Sequence, residues 1–161
     1  HAYAVQMTPD ELKVARSWSL VSDAERAADW RISGVHHTAV HAETGRLFVL
    51  MHQGGPETFQ EPGTEVWVYD VQTGEKRQTL ELKELSLSIG VSPGAQPRLY
   101  SVDYVMPMPF LATAWIFATE GKDGVVRRLQ QQVNLYDADS GEHLRTVDGL
   151  PYGYLNMVLP W

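Results

Sequence analysis

The chain has 161 residues, of which 43% are hydrophobic, and a net charge of −7 with no basic stripe. This length is sufficient for the core of one globular domain, and five Trp with seven Tyr exclude a disordered composition. The charge argues against nucleic-acid binding and against an anionic membrane surface. The absence of cysteine excludes a disulfide framework and a thiol nucleophile within this sequence.

Two strand-length runs open the sequence. We predict strands over Ala2–Met7 and 11–20, joined by a Thr-Pro-Asp turn, and interpret 1–20 as the second half of a four-stranded antiparallel unit. Because neither a first half nor a secretory signal precedes them, we expect a chain cut from a longer one. The only helical pattern follows at 23–30, with Ser22 as its N-cap and acidic residues in the first turn.

A complete four-stranded unit is predicted at 34–82. The run Leu47-Phe-Val-Leu-Met51 does not alternate between apolar and polar residues, so its strand must be covered on both faces. The blades of a β-propeller are covered in this way because each packs between two neighbours, and the unit has about the length of one blade. Its predicted strands, rich in β-branched and aromatic residues, are 34–41, 46–52, 64–70 and 76–82.

A second blade is predicted at 87–150. Its closing hairpin repeats that of the first, since Val68-Tyr-Asp-Val-Gln-Thr-Gly-Glu75 matches Leu135-Tyr-Asp-Ala-Asp-Ser-Gly-Glu142. The offset of 67 residues exceeds the length of a regular blade, so we interpret 104–130 as an insertion. Residues 154–161 are predicted to be one strand of a further blade. The predicted fold class is all-β: a partial β-propeller of two and a half to three four-stranded blades, with 1–20 as the half blade.

Four of the six histidines fall in the first predicted hairpin. If the turn pairs His41 with Arg46, His52 lies opposite Val35 and diagonal to His37, about 7–8 Å away at Cα. His37 and His41 are about 13 Å apart along the strand. No carboxylate or cysteine completes a metal site at the usual spacing. We therefore interpret the histidines as packed or hydrogen-bonded and predict no metal site.

Asp70 and Asp137 each precede a Thr-Gly or Ser-Gly turn. A short acceptor at such a position bonds the backbone N–H groups of its own turn. A pair of carboxylates doing acid/base work is the functional alternative, but equivalent positions of different blades lie far apart. A nucleophile elbow, a phosphate-binding loop and a dinucleotide fingerprint are all missing from the sequence. We predict no catalytic residue in this chain.

The best candidates for function are the loop 53–63 and the insertion 104–130, because loops on a rigid scaffold carry function. Phe59 stands alone among polar residues, which suits either a contact with a partner or a plug over the blade. The insertion is rich in Met and aromatic residues, as interface cores are, so we predict that it meets another polypeptide. The alternative is that it folds back over its own blade or a missing one. The predicted partner-binding residues are Phe59, Met106, Met108, Phe110, Trp115 and Phe117.

Several motifs together resemble the heavy chain of quinone-dependent amine dehydrogenases, the aromatic amine and methylamine dehydrogenases. The resemblance covers nearly all of the chain, as the C-terminal part of that heavy chain. The run from Leu47 to Asp70 is its most specific part, and the insertion has no counterpart. The motifs are Ser17-Trp-Ser-Leu20, Asp29-Trp30, Arg46-Leu-Phe-Val-Leu-Met-His52, Glu65-Val-Trp-Val-Tyr-Asp70 and Thr73-Gly74.

This resemblance implies a seven-bladed, periplasmic propeller paired with a light chain. The light chain would carry tryptophan tryptophylquinone and the catalytic aspartate, and electrons would leave to a small blue copper protein. The chain itself would be a non-catalytic subunit without a cofactor, holding the light chain during oxidative deamination of primary amines. Its tryptophans would then be core residues rather than precursors of a quinone. The alternatives are a non-enzymatic β-propeller protein-binding module and a hydrolase-type propeller, for which no residue set appears.

Overall fold

The computed structural model describes residues 1–33, 37–58, 61–105 and 130–150. Within these ranges the chain is all-β, as predicted: every strand pairing is antiparallel, and the α-helix has five residues. The elements are β1 Ala2–Met7, β2 Leu12–Trp18, α1 Asp23–Ala27, β3 Trp30–Ile32, β4 Thr38–His41, β5 Arg46–Gln53, a 3₁₀ turn Pro56–Thr58, β6 Gly63–Asp70, β7 Lys76–Val91, β8 Arg98–Val105, β9 Gln130–Asp137 and β10 His143–Leu150.

The helix α1 begins as the sequence predicts and ends earlier. The Ser22 side chain accepts a hydrogen bond from the Glu25 N–H, and the Glu25 carboxylate accepts one from the Ser22 N–H at 2.8 Å, which forms a capping box. The prediction that the helix reaches Trp30 is wrong, because Asp29 adopts a left-handed conformation with φ 63°. The chain leaves the helix there, and Trp30 begins β3 instead.

The edge of β5 is shared by two short strands. β4 pairs with the first half of β5 and sets His41 opposite Arg46, as predicted. β3 pairs with the second half and sets Arg31 opposite His52. Val35, which was predicted to lie there, is outside the described residues. Three residues are too few to show a hydrophobic period, which is why β3 escapes sequence reasoning.

Strand β7 belongs to two successive meanders: the first contains β3 to β7, and the second contains β7 to β10. The sequence predicted separate strands that end at 82 and begin at 87, whereas β7 is continuous and pairs with β6 and then with β8. A straight strand of its length would span about 50 Å. The carboxylate of Glu43, beside the start of β5, nevertheless accepts a hydrogen bond at 3.1 Å from the N–H of Gly94, beyond the far end of β7. β7 therefore bends back, with register shifts near Ser86, and stacks the second meander on the first.

One apolar cluster fills the space between the stacked meanders. Phe48 and Val68 of the first meander pack with Leu99 and Tyr136 of the second, and each is 0–1% exposed. The hydroxyl of Tyr136 also accepts a hydrogen bond at 2.9 Å from the N–H of Lys83. The shared core explains why the stack is face to face, since neither meander buries this surface alone.

The opposite face of the first meander is covered by the connection that contains α1. Trp30 packs against Trp67 with ring centroids 5.1 Å apart, and the ammonium of Lys76 lies 3.7 Å from the centroid of Trp67. Lys76 also forms an ion pair with Glu25 of α1. Both faces of β5 are therefore buried, as the non-alternating run from Leu47 predicted.

The stacked antiparallel meanders are consistent with part of a β-propeller. The described strands form open sheets, so they do not close a ring. The predicted strand at 154–161 lies outside the described residues.

Candidate functional site

The stacked meanders have two distinct ends. At the end that we call the loop end, Ser86 of β7 pairs with both Gly63 of β6 and Asp103 of β8. The loop that bears Phe59 and the insertion after Val105 both leave the strands here. The end that we call the turn end carries the short connections 42–45, 71–75, 92–97 and 138–142.

At the turn end, Asp70 and Asp137 each organise the turn that follows them. The Oδ1 atom of Asp70 accepts hydrogen bonds at 2.8 Å from the N–H groups of Gln72 and Thr73. Asp137 accepts from the N–H of Ser140 at 2.9 Å and likewise from that of Asp139. The backbone N–H of the turn residue is the main cause that lowers the pKa of each carboxyl below its ordinary value. Both carboxylates are thus used structurally.

Removing the charges of Asp70 and Asp137 is expected to weaken the fold at neutral pH. A folded-state pKa below the unfolded value stabilises the protein above about pH 4, and this contribution is lost as the pH falls through the folded pKa. The double variant Asp70→Asn/Asp137→Asn should therefore unfold at a lower temperature at pH 7 and converge with the wild type at acid pH. Thermal unfolding across pH 3–7 measures this. Asp10→Asn, in the exposed β1–β2 turn, is the control. The same pH dependence of the unfolding temperature in both variants would contradict the stabilising role of Asp70 and Asp137.

Side chains also connect the two meanders at the turn end. The guanidinium of Arg46 contacts Asp139 Oδ1 at 2.6 Å and the carbonyl oxygen of Ala138 at 3.3 Å. The Gln78 side chain donates to the carbonyl oxygen of Asp139 at 3.0 Å. These contacts hold the meanders in a fixed relation, so the loop end rests on a rigid support.

The loop 53–63 is anchored at its base by His52, which is 5% exposed. The Nε2 atom of His52 lies 2.8 Å from the Thr58 hydroxyl, and that hydroxyl donates to the carbonyl oxygen of Gly55 at 2.7 Å. A Cβ atom on Gly54 would lie 2.3 Å from Thr58 Oγ1, so the loop is closely packed on this side. The contact between His52 and Thr58 holds the first part of the loop against β5.

A second anchor holds the other flank of the same loop. The Ser33 hydroxyl donates to the carbonyl oxygen of Glu61, and the N–H of Glu61 donates to the carbonyl oxygen of Thr58 at 3.0 Å. The two flanks of Phe59 are therefore fixed to the body of the sheet. The six predicted partner-binding residues themselves, Phe59, Met106, Met108, Phe110, Trp115 and Phe117, lie outside the described residues.

The family comparison agrees with the motifs quoted above. A family model described as methylamine dehydrogenase heavy chain (MADH) matches residues 1–124, well over half of the chain. The chain belongs to the methylamine dehydrogenase heavy chain family. The resemblance inferred from its motifs is thereby confirmed for that family. The matched range includes residues 104–124, so it does not support the prediction that the segment 104–130 lacks a counterpart there.

The chain matches only part of the length of its relatives in this family. The chain is 32% identical over 133 residues to the methylamine dehydrogenase heavy chain of Paracoccus versutus, covering 83% of this chain and 26% of the relative. It is 29% identical over 100 residues to the methylamine dehydrogenase heavy chain of Methylorubrum extorquens, covering 62% of this chain and 24% of the relative. The chain thus spans about a quarter of the length of the curated relatives it matches.

Two of the histidines in this family member are buried and bonded to threonines. The Nδ1 atom of His41 lies 2.7 Å from Thr44 Oγ1, much as His52 contacts Thr58. Across the described ranges, no three His, Cys, Asp or Glu side chains gather closely enough to hold a metal ion. No described helix has the length and apolar character that crossing a membrane requires.

A polar cluster between β9 and β10 escaped the sequence reasoning. The buried Asn134 side chain lies 2.9 Å from His143 Nε2 and 2.5 Å from the Thr146 hydroxyl. A single histidine nitrogen faces both partners, so the arrangement lacks the separate base and orienting contacts of a nucleophilic triad. The cluster joins β9 to β10 and gives the buried side-chain oxygen of Asn134 hydrogen-bond partners.

Proposed function

We propose that the chain is part of the non-catalytic heavy subunit of a periplasmic, tryptophan tryptophylquinone-dependent amine dehydrogenase. The family match over residues 1–124 carries this proposal. In it, the heavy subunit holds a small light chain, walls part of the substrate channel and helps to dock a blue copper protein that accepts the electrons. The substrates are primary amines, which are deaminated oxidatively.

The chemistry of amine oxidation supports this division of roles. The reaction needs an electrophilic carbonyl to trap the amine and a base to remove the α-proton. A quinone cofactor supplies the carbonyl when bound, and the protein around it supplies position and environment. In this chain, the carboxylates of Asp70 and Asp137 bind their own turns, and His52 holds a loop. Its contribution is therefore a rigid surface for the light chain.

The loop end is the proposed surface for the light chain. The loop bearing Phe59 and the insertion bearing Trp115 leave the strands at this same end. Anchored flanks support the assignment, because a loop that is already ordered loses less conformational entropy when a partner binds. Met106, Met108, Phe110 and Phe117 complete the proposed contact set.

The remainder of the heavy subunit is the second proposed partner. One face of the β1–β2 hairpin pairs Val5 with Val14 and Met7 with Leu12. These four side chains are 47–78% exposed, as is Tyr3 at 62%. A two-stranded hairpin with one bare apolar face is marginal alone, so it is completed by packing on further strands. The strands that cover it would complete the half blade predicted at 1–20.

If the loop end binds the light chain, variants of this surface should lose the light chain during purification. Phe59→Ser combined with Trp115→Ser is expected to reduce light-chain retention about tenfold or more, since aromatic anchors dominate interface energies. Leu144→Ser, an exposed apolar position on β10, is the control and should retain the light chain. The ratio of light to heavy chain after tandem affinity purification measures the effect. An unchanged ratio in the double variant would contradict the assignment, as would an equal loss in the control.

A further inference from the structure

His52 lies at the point where the loop 53–63 leaves β5, and its side chain is buried. Its Nε2 atom contacts the Thr58 hydroxyl at 2.8 Å. Its Nδ1 atom is also buried and has no hydrogen-bond partner among the described residues. Gly54 and Gly55 follow within three residues, so the chain next to His52 is able to change conformation at little steric cost.

The hydrogen bonds identify the protonation state that fits this position. The Thr58 hydroxyl donates its proton to the carbonyl oxygen of Gly55 at 2.7 Å, so its oxygen accepts from the imidazole. Because Nδ1 is buried without an acceptor, the neutral ring with its proton on Nε2 and a lone pair on Nδ1 is the form that fits this position. Adding a second proton would create a buried charge and a buried Nδ1–H donor without an acceptor, both of which oppose the closed arrangement.

Two charged side chains act on His52. Arg31, opposite His52 in the strand pairing, opposes its protonation, while Glu61 of the loop and a hydrogen bond with the Thr58 backbone favour it. The side chain of Asp29 lies 3.5 Å from the Arg31 guanidinium, and the carboxylate of Glu65 on β6 bonds the indole of Trp67. Burial outweighs these charges and lowers the pKa of His52 below its ordinary value.

We propose that His52 is a pH-sensitive latch on the segment 53–58. Neutral His52 holds Thr58 against β5, and protonation releases this segment while the stacked meanders stay folded. Above about pH 6.5 the closed form keeps its full stability, and this stability falls as the pH drops below that value. Local release is less costly than global unfolding, because Gln53, Pro56 and Glu57 are exposed and the rest of the segment 53–58 is only half-buried.

Two backbone N–H groups of the loop form hydrogen bonds that should break when the loop opens. The N–H of Gly54 donates to the carbonyl oxygen of Asp29 at 2.9 Å, and the N–H of Thr58 donates to that of Gly55 at 3.0 Å. Hydrogen exchange at these two amides, corrected for the intrinsic effect of pH, measures loop opening in the purified heavy chain. The readout does not involve the light chain, so it stands apart from the proposed function.

The expected result is that corrected exchange at Gly54 and Thr58 rises about tenfold or more between pH 7.5 and pH 5. His52→Gln keeps a donor near the position of Nε2 without a titrating ring, so its exchange should not respond to pH. Thr58→Val should exchange quickly at both pH values, whereas Thr58→Ser should retain the wild-type response. A wild-type protein without a pH response would overturn the latch, as would a full response in His52→Gln or in Thr58→Val. The two Thr58 variants decide the question if His52→Gln does not fold.

Discussion

Replacing Phe48 with alanine is expected to lower the free energy of unfolding by about 3–5 kcal/mol. Phe48 is 0% exposed and belongs to the apolar cluster that joins the two meanders. The guanidinium of Arg46 lies 5.6 Å from the centre of its ring, so truncation also removes a cation–π contact near the turn end. Loss of the Phe48 ring leaves a cavity between two meanders that are fixed by hydrogen bonds, so the cavity cannot fully collapse.

Urea denaturation of the purified heavy chain measures this effect. Val40→Ala is the control, because Val40 lies on β4 with 59% of its surface exposed and should cost about 0.5 kcal/mol or less. A Phe48→Ala variant that loses no more than the control would show that the two meanders do not share a core. The stacked arrangement would then be wrong.

Replacing Gly63 with alanine is expected to cost about 3 kcal/mol, at the upper end for overpacking. A Cβ atom there would lie 2.1 Å from the carbonyl oxygen of Met51 and 3.1 Å from the Leu50 side chain. The carbonyl belongs to the backbone of β5, so relief requires the first residue of β6 to move away from its neighbour strand. The substitution therefore disturbs the loop end, where the Phe59 loop rejoins the sheet.

The chain offers a matched control for Gly63. Gly90 also lies in a strand, and a Cβ atom at that position would meet nothing within 4 Å. Gly90→Ala should change stability by about 0.5 kcal/mol or less, with some stabilisation because alanine restricts the unfolded chain. Thermal unfolding of the two variants side by side measures the difference. Equal stabilities would show that the close approach of β6 to Met51 does not exist.

Local patterns were sufficient to predict the core of the fold. The five apolar residues from Leu47 to Met51 predicted a strand buried on both faces, because a strand with one wet face would alternate. The matched turns after Asp70 and Asp137 predicted acceptor roles that depend only on residues two and three positions later. Each of these features depends on neighbours in sequence or on a strict period.

Other features depend on contacts that no local pattern records. The bend in β7 near Ser86 results from stacking across the shared core. No Gly or Pro next to Ser86 marks the bend in the sequence. The hydrogen bond from His52 to Thr58 exists only because the intervening loop folds back on its own strand. β3 is positioned by the left-handed Asp29 and by the free edge of β5, not by its own composition.

The division of roles between this chain and a light chain is tested most directly by amine-dependent reduction of a redox dye. Visible quinone absorbance should be recorded on the same samples, with and without a co-purified light chain. We predict absorbance and turnover only where the light chain is present, and in proportion to its amount. Quinone absorbance or steady amine turnover in this polypeptide alone would contradict the account.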